Sequence, residues 1–126
     1  MIGDRHSLVF SGTVASNAQN SFAGSNKIPW RSVARRVVFQ FSPGMMGLVF
    51  AGFFADTTNS VSTTGIPPGT SLLSQYGNAR TINGVEQLEL VLSEPIVAGS
   101  YLKLYVNNTG DATDATMTAI IELEEV

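Results

Sequence analysis

Four stretches of this chain alternate from residue to residue with a period of two, and none repeats at the 3.6-residue spacing of an amphipathic helix. Residues 7–15 place Leu8, Phe10, Gly12 and Val14 on one side and Ser7, Val9, Ser11 and Thr13 on the other. Residues 85–92 set Leu88, Leu90 and Leu92 against Gln87, Glu89 and Val91, and residues 100–107 set Leu102, Leu104 and Val106 against Tyr101, Lys103 and Tyr105. Residues 116–124 repeat the pattern with Met117, Ala119, Ile121 and Leu123. Successive side chains of a strand point to opposite faces, so each stretch predicts a strand with one face in a core and one turned away from it.

Two further runs, 37–41 and 48–54, are rich in Val and Phe. They belong to 19 uncharged residues, 37–55, close to the length of about 20 that a spanning helix needs. Gln40, Ser42, Pro43, Gly44 and Gly47 punctuate that segment, which favours two buried strands joined by a Pro-Gly turn over a membrane span. Weaker signals are an edge strand at 60–64, either a helical turn or a short strand at 71–76, and an Asn83-Gly84 hairpin turn between 79–82 and the run at 85. Six strong strands, polar turns and no amphipathic helix predict an all-β protein: a single antiparallel β-sandwich, jelly-roll-like, spanning 1–126. Residues 16–29 are polar and small, with Phe22 the only large apolar group before Ile28, and are expected to form a long loop or arm. The first residues lack the apolar stretch of a secretory signal.

Of the 126 residues, 44% are apolar and 13% charged, where about a quarter charged is usual. Ser, Thr, Asn and Gly supply the remaining surface, and the apolar content argues against disorder. The absence of Cys and the single His exclude disulfide frameworks, thiolate metal sites and thiol nucleophiles, so no cofactor, metal or enzymatic activity is expected. Asp4, His6 and Ser7 are the residue types of a hydrolytic triad without its spacing or a Gly-x-Ser-x-Gly elbow. Glu89 with Glu122 or Glu124 has the composition of a glycosidase pair, but outward Glu on a solvated sheet is far commoner. The loop at 107–114 carries oxygen donors suited to calcium, yet reads better as an Asn-Gly-Asp turn.

Charge is unevenly distributed. Residues 1–80 hold Arg5, Lys27, Arg31, Arg35, Arg36 and Arg80 against Asp4 and Asp56, whereas residues 81–126 hold only Lys103 against eight carboxylates. If the two stretches form separate patches, one copy can meet the next. Lys27, Arg31, Arg35 and Arg36 surround Trp30, the only tryptophan. Cations with an indole suit phosphate and base stacking, but the acidic balance of the chain favours a protein contact, in which Trp and Arg are enriched. Phe22, Lys27, Trp30, Arg31, Arg35 and Arg36 are therefore the candidate protein-interface residues, and nucleic acid is not the expected partner. Tyr101 and Tyr105, on one face of one strand, are a candidate aromatic platform for glycan.

A small Cys-free sandwich, rich in Ser, Thr, Asn and Gly, with long polar loops, an extended N-terminal stretch and a last strand running to the final residue, resembles the small virion proteins of bacterial viruses. These are the capsid decoration, cement and minor capsid proteins and the single-jelly-roll capsid proteins. The resemblance is one of style over the whole chain and transfers no site residue. It implies location in the virion after synthesis in the host cytoplasm. The implied partners are capsid proteins and copies of the chain itself, often as trimers. A carbohydrate-binding sandwich module, using Tyr101 and Tyr105, is the alternative.

Overall fold

The computed structural model describes residues 1–24, 27–41, 43–74, 76, 80–110 and 113–126. Among the described residues, nine strands run in chain order: β1 (Arg5–Val14), β2 (Ala18–Ala23), β3 (Ser32–Gln40), β4 (Phe50–Asp56), β5 (Thr70–Ser71), β6 (Ile82–Asn83), β7 (Gln87–Ile96), β8 (Tyr101–Asn108) and β9 (Ala115–Glu125). They form a four-stranded sheet, β1-β9-β3-β7, and a second sheet, β2-β8-β4-β5, with β6 also pairing β4. All the pairings are antiparallel. With β6 set aside, early strands pair with late ones, β1 with β9, β2 with β8, β3 with β7 and β4 with β5. Alternate pairs go to alternate sheets. A long hairpin rolled in this way is a jelly roll.

The alternation read from the sequence places the core. Met117, Ala119, Ile121 and Leu123 of β9 are fully buried, as are Val37 and Phe39 of β3 and Leu104 and Val106 of β8. Across the interface between sheets, Phe53 stacks on Phe39 at 5.7 Å and meets Phe10 edge-on at 5.3 Å. Burying one such side chain contributes about 1.5–3 kcal/mol. The two runs at 37–41 and 48–54 do not form a hairpin. A 3₁₀ turn, Pro43–Met45, carries the chain from one sheet to the other, so β3 and β4 face each other across the core. Among the described residues, no helix is long and apolar enough to cross a membrane.

Three expectations are corrected. The stretch at 16–29 is not simply a loop or arm, because β2 occupies Ala18–Ala23 and pairs with β8 along its whole length. Asn17, with φ of 59°, makes the turn out of β1, a backbone region that Asn tolerates well. No strand forms at 60–64. Asn83-Gly84 does not close a hairpin, since β6 pairs with β4 and not with β7. The alternative left open at 71–76 divides: Thr70–Ser71 is a two-residue strand, and a turn follows at 72–74.

The two sheets finish their outer faces differently. On the second sheet the segment after β4 folds back over the strands. Lys103 of β8 points outward as predicted but is fully buried, its Nζ donating to the Pro68 carbonyl at 2.9 Å and lying 3.7 Å from Asp56. The Arg80 carbonyl sits directly above Gly52, where a Cβ would come within 2.3 Å of it. On the first sheet the outer face stays open and carries cross-strand pairs, including the hydroxyls of Thr13 and Thr116 at 2.9 Å.

Candidate association edge

The basic cluster at 27–36 does not form one surface. Trp30 stacks on His6, with ring centroids 4.4 Å apart, and is half-buried against the core. His6 Nε2 in turn meets Glu125 Oε2 at 2.8 Å. Arg35 and Arg36 lie on the outer face of the same sheet, because a bulge between Ala34 and Arg36 gives β3 one extra residue and lets two consecutive side chains point the same way. Both are already paired. Arg35 donates twice to Glu124, at 3.0 and 2.8 Å, and Arg36 bridges Glu89 at 2.7 Å and Glu122 at 3.2 Å. Lys27 and Arg31 are exposed.

These contacts also answer the question of charged patches. β9 lies between β1 and β3, so its glutamates sit among arginines from the basic part of the chain. The hydrogen bond from Arg36, and then its charge, hold the Glu89 carboxyl below its ordinary value. Those from Arg35 do the same for Glu124. The resulting ion pairs are internal to one sheet and leave no separated basic and acidic faces at these residues.

Tyr101 and Tyr105 share a face, but they form no exposed platform. Tyr105 is 3% exposed, its hydroxyl donating to Gln19 Oε1, and Tyr101 is half-buried. Phe54 meets the Tyr105 ring edge-on at 6.3 Å. In the loop at 107–114, Asn107 Oδ1 accepts from Thr109, Asn108 Nδ2 donates to three backbone carbonyls, and Asp114 accepts from the Ser16 amide. Asp111 lies outside the described residues, and the donors named here serve to fix turns.

Phe22 is placed differently. β1 and β2 are the edge strands of the two sheets on the same side of the sandwich, and Leu8, Val9, Phe10, Ser11, Phe22, Ala23 and Gly24 line an open groove of about 400 Å³ there. Its floor is a reciprocal fit of large and small. The Phe22 ring occupies the space where a Cβ on Gly12 would lie, within 2.3 Å, and the Phe10 ring packs at 3.5 Å over the Cβ position of Gly24. A glycine on the inward side of an alternating strand is the sequence sign of such a close approach, and it is legible at Gly12.

Along the rim, the backbone of β1 has no partner on its outer side among the described residues. Glu125 N–H donates to the Asp4 carbonyl at 2.9 Å. Because antiparallel ladders alternate, His6, Leu8, Phe10, Gly12 and Val14 then direct their backbone groups to β9. Arg5, Ser7, Val9, Ser11 and Thr13 direct theirs outward. Among the described residues, nothing caps those outward groups.

No family model matches the chain, and no curated protein sequence matches it. Solved structures that it resembles include a mitogen from Yersinia pseudotuberculosis (8% identity, 98% of this chain and 88% of that one, TM-score 0.48). They also include a periplasmic inhibitor of g-type lysozyme from Aeromonas hydrophila (13% identity, 94% and 87%, TM-score 0.46). A third is a chain of the cyanophage Pam1 capsid asymmetric unit (9% identity, 99% and 87%, TM-score 0.46). Capsid and non-capsid proteins thus stand side by side among its neighbours, and the assignment of the fold rests on the pairing of the chain's own strands.

Proposed function

We propose that this chain is a structural protein of a bacterial-virus particle, binding the capsid shell as a decoration, cement or minor capsid component. It acts through protein–protein contacts and performs no chemistry. The observation that carries this reading is the bare edge of β1 beside the open groove bordered by Leu8, Phe10 and Phe22. Unpaired N–H and C=O groups next to exposed apolar surface are a template for another polypeptide. The rest of the surface agrees in character. The charges of the first sheet are engaged with one another, while the Ser, Thr and Asn that replace charge elsewhere suit wide, wet contacts between many copies. The partners are capsid proteins and further copies of the chain. The glycan-binding reading loses its basis with the burial of Tyr105.

Density-gradient particles of the virus that encodes the chain provide the test. Peptide mass analysis of the particle band should find the chain in many copies per shell, retained through washing. Recovery of the chain only in the free-protein fraction, with shells complete without it, would overturn the proposal.

A further inference from the structure

We propose that the occupant of the β1 edge is β1 of a second copy, joined antiparallel about a two-fold axis at Val9. The inference rests on the reading of the chain as an assembly protein and names its first partner. Antiparallel pairing centred on Val9 places Ser7 opposite Ser11 of the other copy, and Arg5 opposite Thr13. No like charges meet. Every odd residue faces an odd one, so the backbone groups that β1 turns outward are those that join, and both outer faces stay on the same side. The even residues face even ones as well: Leu8 meets Phe10 across the axis, and both side chains lie along the groove that Phe10 and Phe22 border in each copy.

Two further features single out β1. It is ten residues long, with Arg5 its only Asp, Glu, Lys or Arg and no proline, so its sequence holds none of the usual obstacles to edge pairing. Val9 at the proposed axis is 67% exposed, an apolar side chain on an otherwise hydroxyl-rich stretch that its twin would cover. The product is an eight-stranded sheet spanning two copies of the four-stranded one. Two-fold closure uses up the edge, so the assembly unit is a dimer in place of the trimer that the resemblance implies.

The chain lacks cysteine, which makes the axis directly testable. In the full chain, Val9→Cys should form a disulfide-linked dimer on mild oxidation, because residues facing each other across such a ladder have Cα atoms about 5.5 Å apart, within disulfide reach. Val91→Cys, equally exposed at 67% on the opposite edge strand, should not. Val9→Lys, which sets two ammonium groups at the axis, should weaken the dimer seen by sedimentation equilibrium by about tenfold or more, while Val91→Lys leaves it unchanged. Circular dichroism of each variant separates lost association from lost fold. A wild-type chain that is monomeric or trimeric, or equal cross-linking at both positions, overturns the inference. Shell binding by a strictly monomeric chain would sink the dimer and leave the virion reading standing. A β1 dimer absent from particles would do the reverse.

Discussion

β1 and β7 are the two edges of one sheet, each ten residues long, and they are finished in opposite ways. β7 contains Glu89, Glu94 and Pro95. The alternation that runs from the Val126 N–H and Arg31 carbonyl pair through β9, β3 and its bulge turns the backbone groups of Glu89, Val91 and Pro95 outward. Pro95 has no N–H to offer there. The Val91 carbonyl accepts a hydrogen bond from the Tyr76 hydroxyl at 2.6 Å, and Ser74 donates to Glu94 at 2.7 Å. Ser74 and Tyr76 thus dress one edge with hydroxyl groups, next to the buried Leu72 and Leu73. β1 has no proline and, among the described residues, no cap. The proposed pairing of β1 gives this difference between two edges of one sheet a reason.

The contrast between the two edges turns on a few residues. The largest effect is expected from Gly12→Val, which forces side-chain atoms into the space held by the Phe22 ring. Overpacking of this kind costs about 1–3 kcal/mol, and chemical denaturation should show it. A matched Phe22→Leu change in the same chain should restore part of the loss. If Gly12→Val is neutral, the fit of β1 to β2 that shapes the groove is not rigid. Tyr76→Phe removes the cap on Val91 and should cost about 0.5–1.5 kcal/mol. Its more telling readout is association through β7, which should appear only when Pro95→Thr is added. A double variant that stays as unassociated at β7 as the wild type would show that edge protection lies elsewhere.

The smallest effect concerns pH. Glu89 is held below the ordinary glutamate value of 4.5 by hydrogen bonds from Arg36, and Glu124 by those from Arg35. A carboxyl depressed in the folded chain adds stability that is present above its unfolded value and lost as pH falls through its folded one. Acid denaturation curves should therefore show stability falling below the ordinary glutamate range. Arg36→Gln should flatten that fall, and added salt should weaken it, since both partners are partly exposed. A slope that Arg36→Gln leaves unchanged would place the acid sensitivity elsewhere, with Glu125 and its His6 and Met1 contacts the first alternative.

Much of the fold was legible because burial on one face of a strand enforces alternation. Leu90 and Leu92 of β7, Leu102 and Leu104 of β8 and all four inward residues of β9 lie where the period of two put them. β2 escaped because its sequence, Ala-Gln-Asn-Ser-Phe-Ala, has a single large apolar side chain. Its strand character comes from pairing with β8, which local composition does not report. The reading of Tyr101, Lys103 and Tyr105 as outward was correct in direction, but Lys103 is buried under Pro68 and Tyr105 is packed by Gln19 and Phe54. The residues around Trp30 are spread over different surfaces for another reason. A bulge at Arg35 turns the two arginines to the outer face, and sequence spacing gives no sign of it. The edge itself could be suspected from an alternating β1 that carries Arg5 as its one charged residue besides His6, but that it is bare follows only from knowing which strands stand beside it.

Residue-resolved hydrogen exchange at low and high protein concentration reports whether the β1 edge is open in the monomer and closed by association. The outward amides of Ser7, Val9, Ser11 and Thr13 should exchange quickly in dilute solution and become protected as concentration rises, while those of Glu89 and Val91 on β7 keep the same rate at both. Protection of the β1 amides that is already complete in dilute monomer, or that appears equally on β7, would contradict the account.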